Sequence, residues 1–454
     1  MAKTNNLTDF LTDVADAIRE KEGSGAAINP QAFSSRILAL QTGGSGGGAS
    51  AAAGAVNFRD YDGTILHSYS KSAFLALTEL PPLPSQDGLI CQGWNWTFED
   101  AKAYVEEYGV HEIGATYITS DGKTRYYITI ADKLRADFQL NFQISYNDSL
   151  VINWGDGNIE SIATSGTKKL THHYDAEGDY VIQMEVSGSA VLTLGGTALA
   201  NHYANLIKRV ELGQNVSLKS SSAFQFCYSL ETITIPVGVT EIGSNCFQYC
   251  SSLKSIVIPI NVSTMSNQHI FSYCSSLKSV SIPNGITRIF TYTFAYCYSL
   301  SRVIIPSKVT NLGTYALYHC ESLNVVSLPN GLKTIDSYAL RYCYSITRLI
   351  LPNSVTTLNG ATLGDNYSLS SVFIPSGVTN IGANTFSNCS GLALVDFRTH
   401  TSVPSLANTN AFNSVATDLK IVVPDALYEE WIAATNWSNS SIAKKIVKAS
   451  EYNG

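Results

Sequence analysis

The sequence predicts a multidomain, mostly β protein that ends in a solenoid of short repeats. Three observations support this prediction: regularly spaced prolines, regularly spaced cysteines, and a glycine-rich tract that separates two short helical patterns from the rest of the chain. A chain of 454 residues with 45% hydrophobic residues can bury several cores. The predicted parts are a helical segment at 1–42, a Gly/Ser/Ala linker at 43–55, an α+β spacer module at 56–135, a β-sandwich at 136–200, the solenoid at 201–425 and a helical cap at 426–454.

The helical segment has two short amphipathic patterns, and neither is large enough to form a core alone. The apolar residues of the two patterns are Phe10, Leu11, Val14 and Ile18, followed by Phe33, Ile37 and Leu40. The linker GGSGGGASAAAG, at 43–54, can bury almost nothing and predicts a flexible tether. We expect either a docking element on this tether or a frayed helical hairpin packed on its own chain.

Local patterns define the next two parts. Thr97 can cap a helix that runs to Tyr108, and Arg125 to Ile130 has the composition of a strand. In VINWGDGNIE, Asp156 and Gly157 predict a tight hairpin turn. A later strand is expected to point alternate residues into the core, namely Tyr180, Ile182, Met184 and Val186. Together these patterns predict a small β-sandwich.

The repeat region has a period of 23 residues, with one interval of 24. Its prolines are Pro236, Pro259, Pro283, Pro306, Pro329, Pro352 and Pro375. A unit of this size cannot bury its apolar face alone, so neighbouring units must stack. We expect ten strand-like segments between Val210 and Ile421, and hence an array about 45 Å long at about 4.8 Å per strand.

The recurring cysteines are predicted to be structural. They are Cys227, Cys250, Cys274, Cys297, Cys320, Cys343 and Cys389, and Asn366 takes the same place in one repeat. Asparagine cannot act as a thiolate nucleophile or replace a cysteine zinc ligand. The side chains of asparagine and cysteine can both form hydrogen bonds with the backbone groups of a bend. Zinc binding or disulfide formation is the alternative, although stacked neighbours would point their side chains in parallel.

Tyrosines beside this ladder are the candidate binding residues. The set comprises Tyr292, Tyr315 and Tyr338, then Tyr296 and Tyr342, and then Tyr298 and Tyr344. We expect rows of rings about 5 Å apart that are suited to sugars or protein loops. The alternative is that the rings only close the stacking edge between repeats.

Composition argues against several other functions. A net charge of −7 without clustered Lys and Arg disfavours nucleic-acid partners and anionic membranes. There is no apolar run of 18 residues, and the start MAKTNNLTDF lacks the profile of a signal peptide, so we expect folding in a cytoplasm without membrane insertion.

The sequence also lacks a recognisable catalytic or metal-binding signature. Asp156 and Asn158 supply too few oxygen ligands for calcium, and an acid–base set of Glu106, Glu107 and His111 is better read as an exposed helix face. No nucleophile elbow or phosphate loop is present. We therefore predict no enzyme, no metal and no cofactor.

Three parts of the sequence resemble known protein families. LETITIPVGVTEIGSNCFQYCSSL, at 230–253, resembles the BspA-type leucine-rich repeat, which implies a right-handed solenoid used for adhesion or recognition by bacterial surface and phage tail proteins. WGDG at 154–157, with 172–174 and 178–181, resembles the PKD family and implies an Ig-like module without catalysis. Residues 1–42 and 56–97 resemble N-terminal modules of phage virion proteins.

The order of these parts predicts a bacteriophage tail fibre or related appendage that binds the host bacterial surface through its solenoid. The expected partners are other virion proteins, through the N-terminal segment, and a surface glycan or protein receptor. We expect a homo-oligomer, located in the virion and assembled in the host cytoplasm. A bacterial BspA-like adhesin is the alternative, and a virion-associated glycan hydrolase is the third hypothesis.

Overall fold

The structure is a computed structural model that describes residues 55–132, 136–145, 149–196 and 201–452. The predicted docking residues, from Phe10 to Leu40, lie outside the described residues, as does almost all of the predicted linker.

An α+β module comes first. Its strands are β1 Val56–Arg59, β2 Ile65–Tyr69, β3 Leu89–Trp94 and β4 His111–Thr119, and its helices are α1 Lys71–Leu75 and α2 Phe98–Tyr108. The sheet order is β2-β1-β4-β3, with β1 parallel to β4. Helix α2 begins after Thr97, whose hydroxyl accepts a hydrogen bond from the N–H of Asp100, as its sequence predicts. The helix ends at Gly109, which has a φ of 77°.

The β-sandwich follows. Its strands are β5 Thr124–Ile130, β6 Asp137–Ile144, β7 Leu150–Asn153, β8 Ile159–Ile162, β9 Gly166–His173, β10 Gly178–Val186 and β11 Leu192–Leu194. One sheet contains β5-β10-β7-β8 and the other contains β11-β6-β9. Strand β5 was assigned to the spacer module from the sequence, but it pairs with β10 along its whole length. Alternating apolar residues make a strand amphipathic without specifying its partner, so the sequence could not place this boundary.

The predicted hairpin turn joins β7 to β8. Trp154 is buried and stacks on His172, with ring centres 4.6 Å apart. The carboxylate of Asp156 accepts hydrogen bonds from the N–H of Asn158 at 2.9 Å and from the His172 ring at 2.7 Å. Gly155 has a φ of 86°, and a Cβ there would lie 2.8 Å from the carbonyl oxygen of Val181. These contacts assign Asp156 to the turn.

The solenoid contains two parallel files of short strands. The first file consists of β12 Ile207–Glu211, β14 Thr232–Thr234, β16 Ser255–Val257, β18 Ser279–Ser281, β20 Arg302–Ile304, β22 Val325–Ser327, β24 Arg348–Ile350, β26 Ser371–Phe373, β28 Leu394–Asp396, β30 Lys420–Val423 and β31 Ile446–Lys448. The second file consists of β13 Val216–Ser217, β15 Glu241–Ile242, β17 Thr264–Met265, β19 Arg288–Ile289, β21 Asn311–Leu312, β23 Thr334–Ile335, β25 Thr357–Leu358, β27 Asn380–Ile381 and β29 Ser405–Leu406. Turns between the second file and the next strand of the first form the third side.

Both ends of the solenoid are covered. At the first end, the sandwich sheets continue into the two files, because β5 pairs with β12 and β11 pairs with β13. Helix α3 Asn201–Ala204 lies at this junction in the chain. At the other end, helices α4 Tyr428–Ala433 and α5 Ser440–Ala443 precede β31, and α4 contacts it.

The C-terminal cap contains helices, as expected, and also a strand that the sequence did not predict. Strand β31 adds an eleventh strand to the first file of the described chain. Three residues without the repeat's proline give too weak a pattern to identify this strand from the sequence. Trp431 and Trp437 are fully buried in the cap, and the Trp437 indole donates to the carbonyl of Pro404 at 2.8 Å.

The α+β module packs onto the first file of the solenoid. Its strand β4 crosses β14, β16 and β18. The Asn95 amide donates to the carbonyls of Ile258 and Ser281 at 2.9 and 3.2 Å. Tyr104 donates to the carbonyl of Ile305 at 2.9 Å. These side chains satisfy solenoid carbonyls at the interface, so the module is fixed to the solenoid rather than held at a distance.

Two further features make this interface close. Gly114 faces Val257 so tightly that a Cβ on the glycine would lie 2.4 Å from a valine methyl. The buried carboxylate of Glu112 pairs with Arg59 of the module and, at 3.3 Å, with Arg302 of the solenoid. Buried charge is stabilised only when it is paired, so this triad ties the two parts together.

Candidate functional site

The third side of the solenoid carries the candidate site, and its backbone is unusual. Each turn from 222 to 388 has two left-handed residues four positions apart. At the first position the φ values of Tyr292, Tyr315 and Tyr338 are 56°, 57° and 62°. Asparagine, which tolerates this conformation, takes the same position at Asn245 and Asn384. The tight backbone therefore does not itself require tyrosine.

A ladder of thiols lies beneath these turns. The Cys297 thiol donates to the carbonyl of Phe271 at 3.2 Å, and the same contact, between 3.0 and 3.3 Å, recurs for Cys250, Cys274, Cys320, Cys343 and Cys389. Asn366 donates to the Leu340 carbonyl at 2.9 Å and accepts from the N–H of Cys343 at 2.7 Å. All nine cysteines are free thiols, and those of the repeats, Cys227 included, are buried. Burial raises the pKa of Cys343 to about 12, which keeps this thiol a protonated donor.

Aromatic rings stack along this side in two continuous rows. The first row is His269, Tyr292, Tyr315 and Tyr338, with ring centres 4.5 to 4.7 Å apart. The second row is Phe226, Tyr249, Tyr273, Tyr296, His319 and Tyr342, with centres 4.3 to 5.2 Å apart. The ring of Tyr318 lies between the rows and meets Tyr315 and Tyr296 edge-on, at 5.0 and 5.4 Å. We call these two rows, with Tyr318, the aromatic face.

The rings of the aromatic face close the edge between repeats and also reach solvent. Each interior ring has a neighbour on both faces, yet Tyr292, Tyr315 and Tyr296 are only half-buried. The accessible parts are therefore ring edges and hydroxyls. Burial and the neighbouring Tyr296 raise the pKa of Tyr318 to about 12, so its hydroxyl is neutral at physiological pH. This arrangement offers a hydrogen-bonding surface rather than open ring faces for sugars.

Arg341 ends both rows. Its guanidinium carbon lies 5.4 Å from the ring centre of Tyr338 and 4.8 Å from that of Tyr342. It also donates to the carboxylate of Asp365 at 2.5 Å. In the next turn Ala361 and Asp365 take the two left-handed positions, so the rows stop here.

A third, incomplete row borders the aromatic face. It comprises Tyr298, Tyr344 and Tyr367, one residue after each ladder position. Tyr298 and Tyr367 are 40% and 47% exposed, which makes them the most accessible aromatic side chains of this side. Glu321 takes the position between Tyr298 and Tyr344.

The remaining candidates from the sequence do not form a catalytic cluster. Glu106 and Glu107 are exposed on α2, but His111 is buried between Trp96 and Tyr104, where burial lowers its pKa to about 3. Within the described ranges, no three His, Cys, Asp or Glu side chains are arranged to hold a metal ion. None of the helices in those ranges is long and apolar enough to span a membrane.

The fold and the repeat define a leucine-rich repeat solenoid. Residues 197–300 and 267–393 match the BspA type leucine rich repeat region, in six copies. This match supports the BspA-type repeat that the sequence predicts for the solenoid. A comparison with curated proteins gives no match.

Solved leucine-rich repeat structures are also similar to this chain. The pneumococcal vaccine antigen PcpA is 20% identical, with 51% of this chain and 67% of that chain covered and a TM-score of 0.37. The T. pallidum leucine rich repeat protein is 24% identical, with 39% of this chain and 81% of that chain covered and a TM-score of 0.27. A leucine-rich repeat protein of Bacteroides ovatus is 18% identical, with 51% and 83% covered and a TM-score of 0.29.

Proposed function

We propose that this protein is a non-enzymatic recognition protein that attaches to a bacterial surface through the aromatic face. The observation that carries the proposal is the presence of stacked tyrosines at strained positions. A bulky residue in the left-handed region costs about 1–2 kcal/mol, and asparagine serves the same positions in other turns. Tyrosine also supplies contact area with little loss of side-chain entropy on binding.

The receptor is a glycan or a protein of the bacterial surface. Because the interior rings cover each other's faces, contact is made by ring edges and hydroxyls. A polar glycan or a protein loop satisfies such a surface better than a ligand that needs an open ring face. No cofactor or metal enters this function.

Substitution with asparagine tests the proposal without adding backbone strain. We expect the triple variant Tyr292→Asn, Tyr315→Asn and Tyr338→Asn to lose at least tenfold in binding to intact bacteria, measured by flow cytometry with labelled protein. A matched control replaces exposed residues of three successive turns outside the aromatic face: Thr310→Asn, Lys333→Asn and Thr356→Asn. Unchanged binding by the folded tyrosine variant would remove the first row from the site.

At its other end, we propose that the protein is anchored to a phage particle through residues 1–42. The resemblance of 1–42 and 56–97 to virion modules supports this, as does the PKD-like sandwich as a non-catalytic module between anchor and solenoid. Deleting 7–40 is expected to abolish incorporation into virions, measured by immunoblotting of purified particles. Full incorporation after the deletion would show that residues 7–40 are not the docking element. The repeat family supports equally the alternative, a BspA-like adhesin of a bacterial cell surface, and absence of the full-length protein from particles would favour it.

A further inference from the structure

We infer that Tyr298, Glu321 and Tyr344 form a binding notch for a positively charged side chain, an arginine, of a partner protein. This inference rests on the proposed use of the solenoid's third side for recognition and names the chemistry of one contact there. We call the three residues the Glu321 notch.

The notch is built by three successive turns held in register. The N–H of Ser322 donates to the Tyr298 carbonyl at 3.1 Å, and the N–H of Ser345 donates to the Glu321 carbonyl at 3.2 Å. The three side chains therefore follow one another along the solenoid. At about 4.8 Å per turn, the two tyrosines are about 10 Å apart across the carboxylate. A planar group stacks on a ring at about 3.5–4.0 Å, so a guanidinium bound to the carboxylate has room to lie against either flanking ring.

Glu321 remains open to a partner. Its Oε1 lies 3.0 Å from Nδ1 of His319, and its side chain is 37% exposed. No other residue in the described chain forms an ion pair with it. The ring of His319 forms the base of the notch, with its centre 6.3 Å from that of Tyr298 and 6.4 Å from that of Tyr344.

The charge of Glu321 acts on both rings. Burial raises the pKa of Tyr298 and of Tyr344, and for each the charge of Glu321 is the second cause. The carboxylate attracts a cation by its charge, and the electron-rich faces of the rings add to this attraction.

The same chain contains a filled site with this chemistry. Arg341 lies over the rings of Tyr338 and Tyr342 and donates to Asp365, so two tyrosines and one carboxylate already hold a guanidinium. The Glu321 notch repeats the two tyrosines and the carboxylate but lacks the arginine. Arginine suits both partners, since its planar group stacks on rings and donates to a carboxylate.

Other turns supply substitutions that the fold accepts. Serine takes the notch position at Ser251, Ser275 and Ser390. Tyr298→Ser, Glu321→Ser and Tyr344→Ser therefore remove the notch with residues that the repeat already uses, and Glu321→Gln removes only the charge.

The test is ligand-observed NMR titration of the full chain with Nα-acetyl-arginine N-methylamide. We expect this probe to bind at least fivefold more tightly than the neutral citrulline analogue. Glu321→Gln and Tyr298→Ser should each weaken arginine binding at least fivefold, whereas the control Glu160→Gln, an exposed carboxylate of the sandwich, should not. Equal binding of both probes, or unchanged binding by Glu321→Gln, would overturn the inference.

The outcome is separate from that of the proposed function. The small probe reports on the notch whether or not the solenoid attaches to bacteria. Conversely, the asparagine variants of the first row leave Tyr298, Glu321 and Tyr344 in place. If the first-row asparagine variants lose bacterial binding but still bind the arginine probe, the result bears on the proposed function alone. If a notch variant loses the arginine probe but still binds bacteria, the result bears on the notch alone.

Discussion

Tyr315 shows how a single residue balances backbone cost against ring contact. Its φ of 57° is unfavourable for a side chain of this size, by about 1–2 kcal/mol. It stacks on Tyr292 at 4.5 Å and on Tyr338 at 4.7 Å, and each such pair contributes about 0.5–1.5 kcal/mol beyond burial. The two effects are similar in size, so stacking can offset the strain but gives little net stability.

This balance predicts different costs for two substitutions at Tyr315. Alanine removes both stacks and remains strained, whereas asparagine removes the stacks but tolerates the left-handed backbone. We expect Tyr315→Ala to lower the free energy of unfolding by about 1 kcal/mol more than Tyr315→Asn, measured by urea unfolding with a constant slope. Equal costs would mean that the backbone at 315 relaxes on substitution.

At the scale of single elements, the β7–β8 hairpin depends on one ionised side chain. Burial disfavours the charge of Asp156, but hydrogen bonds from Asn158 and His172 outweigh it and lower the pKa to about 2. A carboxyl whose pKa is lower in the folded state stabilises the protein above its unfolded pKa of about 3.9. That stabilisation is lost as the pH falls through the folded pKa.

A pH series with Asp156→Asn measures this effect. Wild type should exceed the variant in stability by a constant amount above pH about 5, and the difference should shrink as the pH falls from about 4 to about 2. Thermal unfolding followed by circular dichroism at each pH gives the comparison. If the stability difference between wild type and variant does not change with pH, the Asp156 side chain stabilises the turn without its charge.

The packing of β4 on the solenoid is a second element with a defined weak point. At Gly114 an added Cβ would meet Val257 at 2.4 Å, which neither strand can accommodate without moving. Gly114→Ala should therefore loosen the module and lower the melting temperature by several degrees. Gly238→Ala is the control, because a Cβ at Gly238 meets nothing within 4 Å.

Limited proteolysis shows which part moves. Trypsin should release a fragment containing the module from Gly114→Ala faster than from wild type, since Lys123 lies in the turn between β4 and β5. Equal cleavage rates and equal melting temperatures in the two variants would show that the interface adapts to the extra methyl group.

At the scale of the whole molecule, prediction from sequence succeeds where a pattern repeats and fails where parts meet. The cysteines recur at a fixed period and Asn366 replaces one of them, which predicts a structural role for this position. The prediction is possible because the same buried position occurs in many turns. The contact of Asn95 with Ile258 joins residues far apart in the chain, and nothing periodic marks either one. The Glu321 notch depends on which residue each of three successive turns places after the ladder position. A search for rows of repeated tyrosines overlooks the glutamate between them.

A solenoid also needs both ends covered, since each turn buries its apolar residues only against a neighbour. At the C-terminal end, β31 pairs with β30, and Trp431 packs on Phe397 with ring centres 5.1 Å apart. Ending the chain after 424 removes this cover and exposes the apolar residues of the last turn. We expect the shortened protein to aggregate and to bind the dye ANS, measured by size-exclusion chromatography and fluorescence. Ending it after 448 keeps β31 and both tryptophans, so this variant should elute as wild type does; a soluble, dye-negative protein ending at 424 would show that β30 alone can close the core.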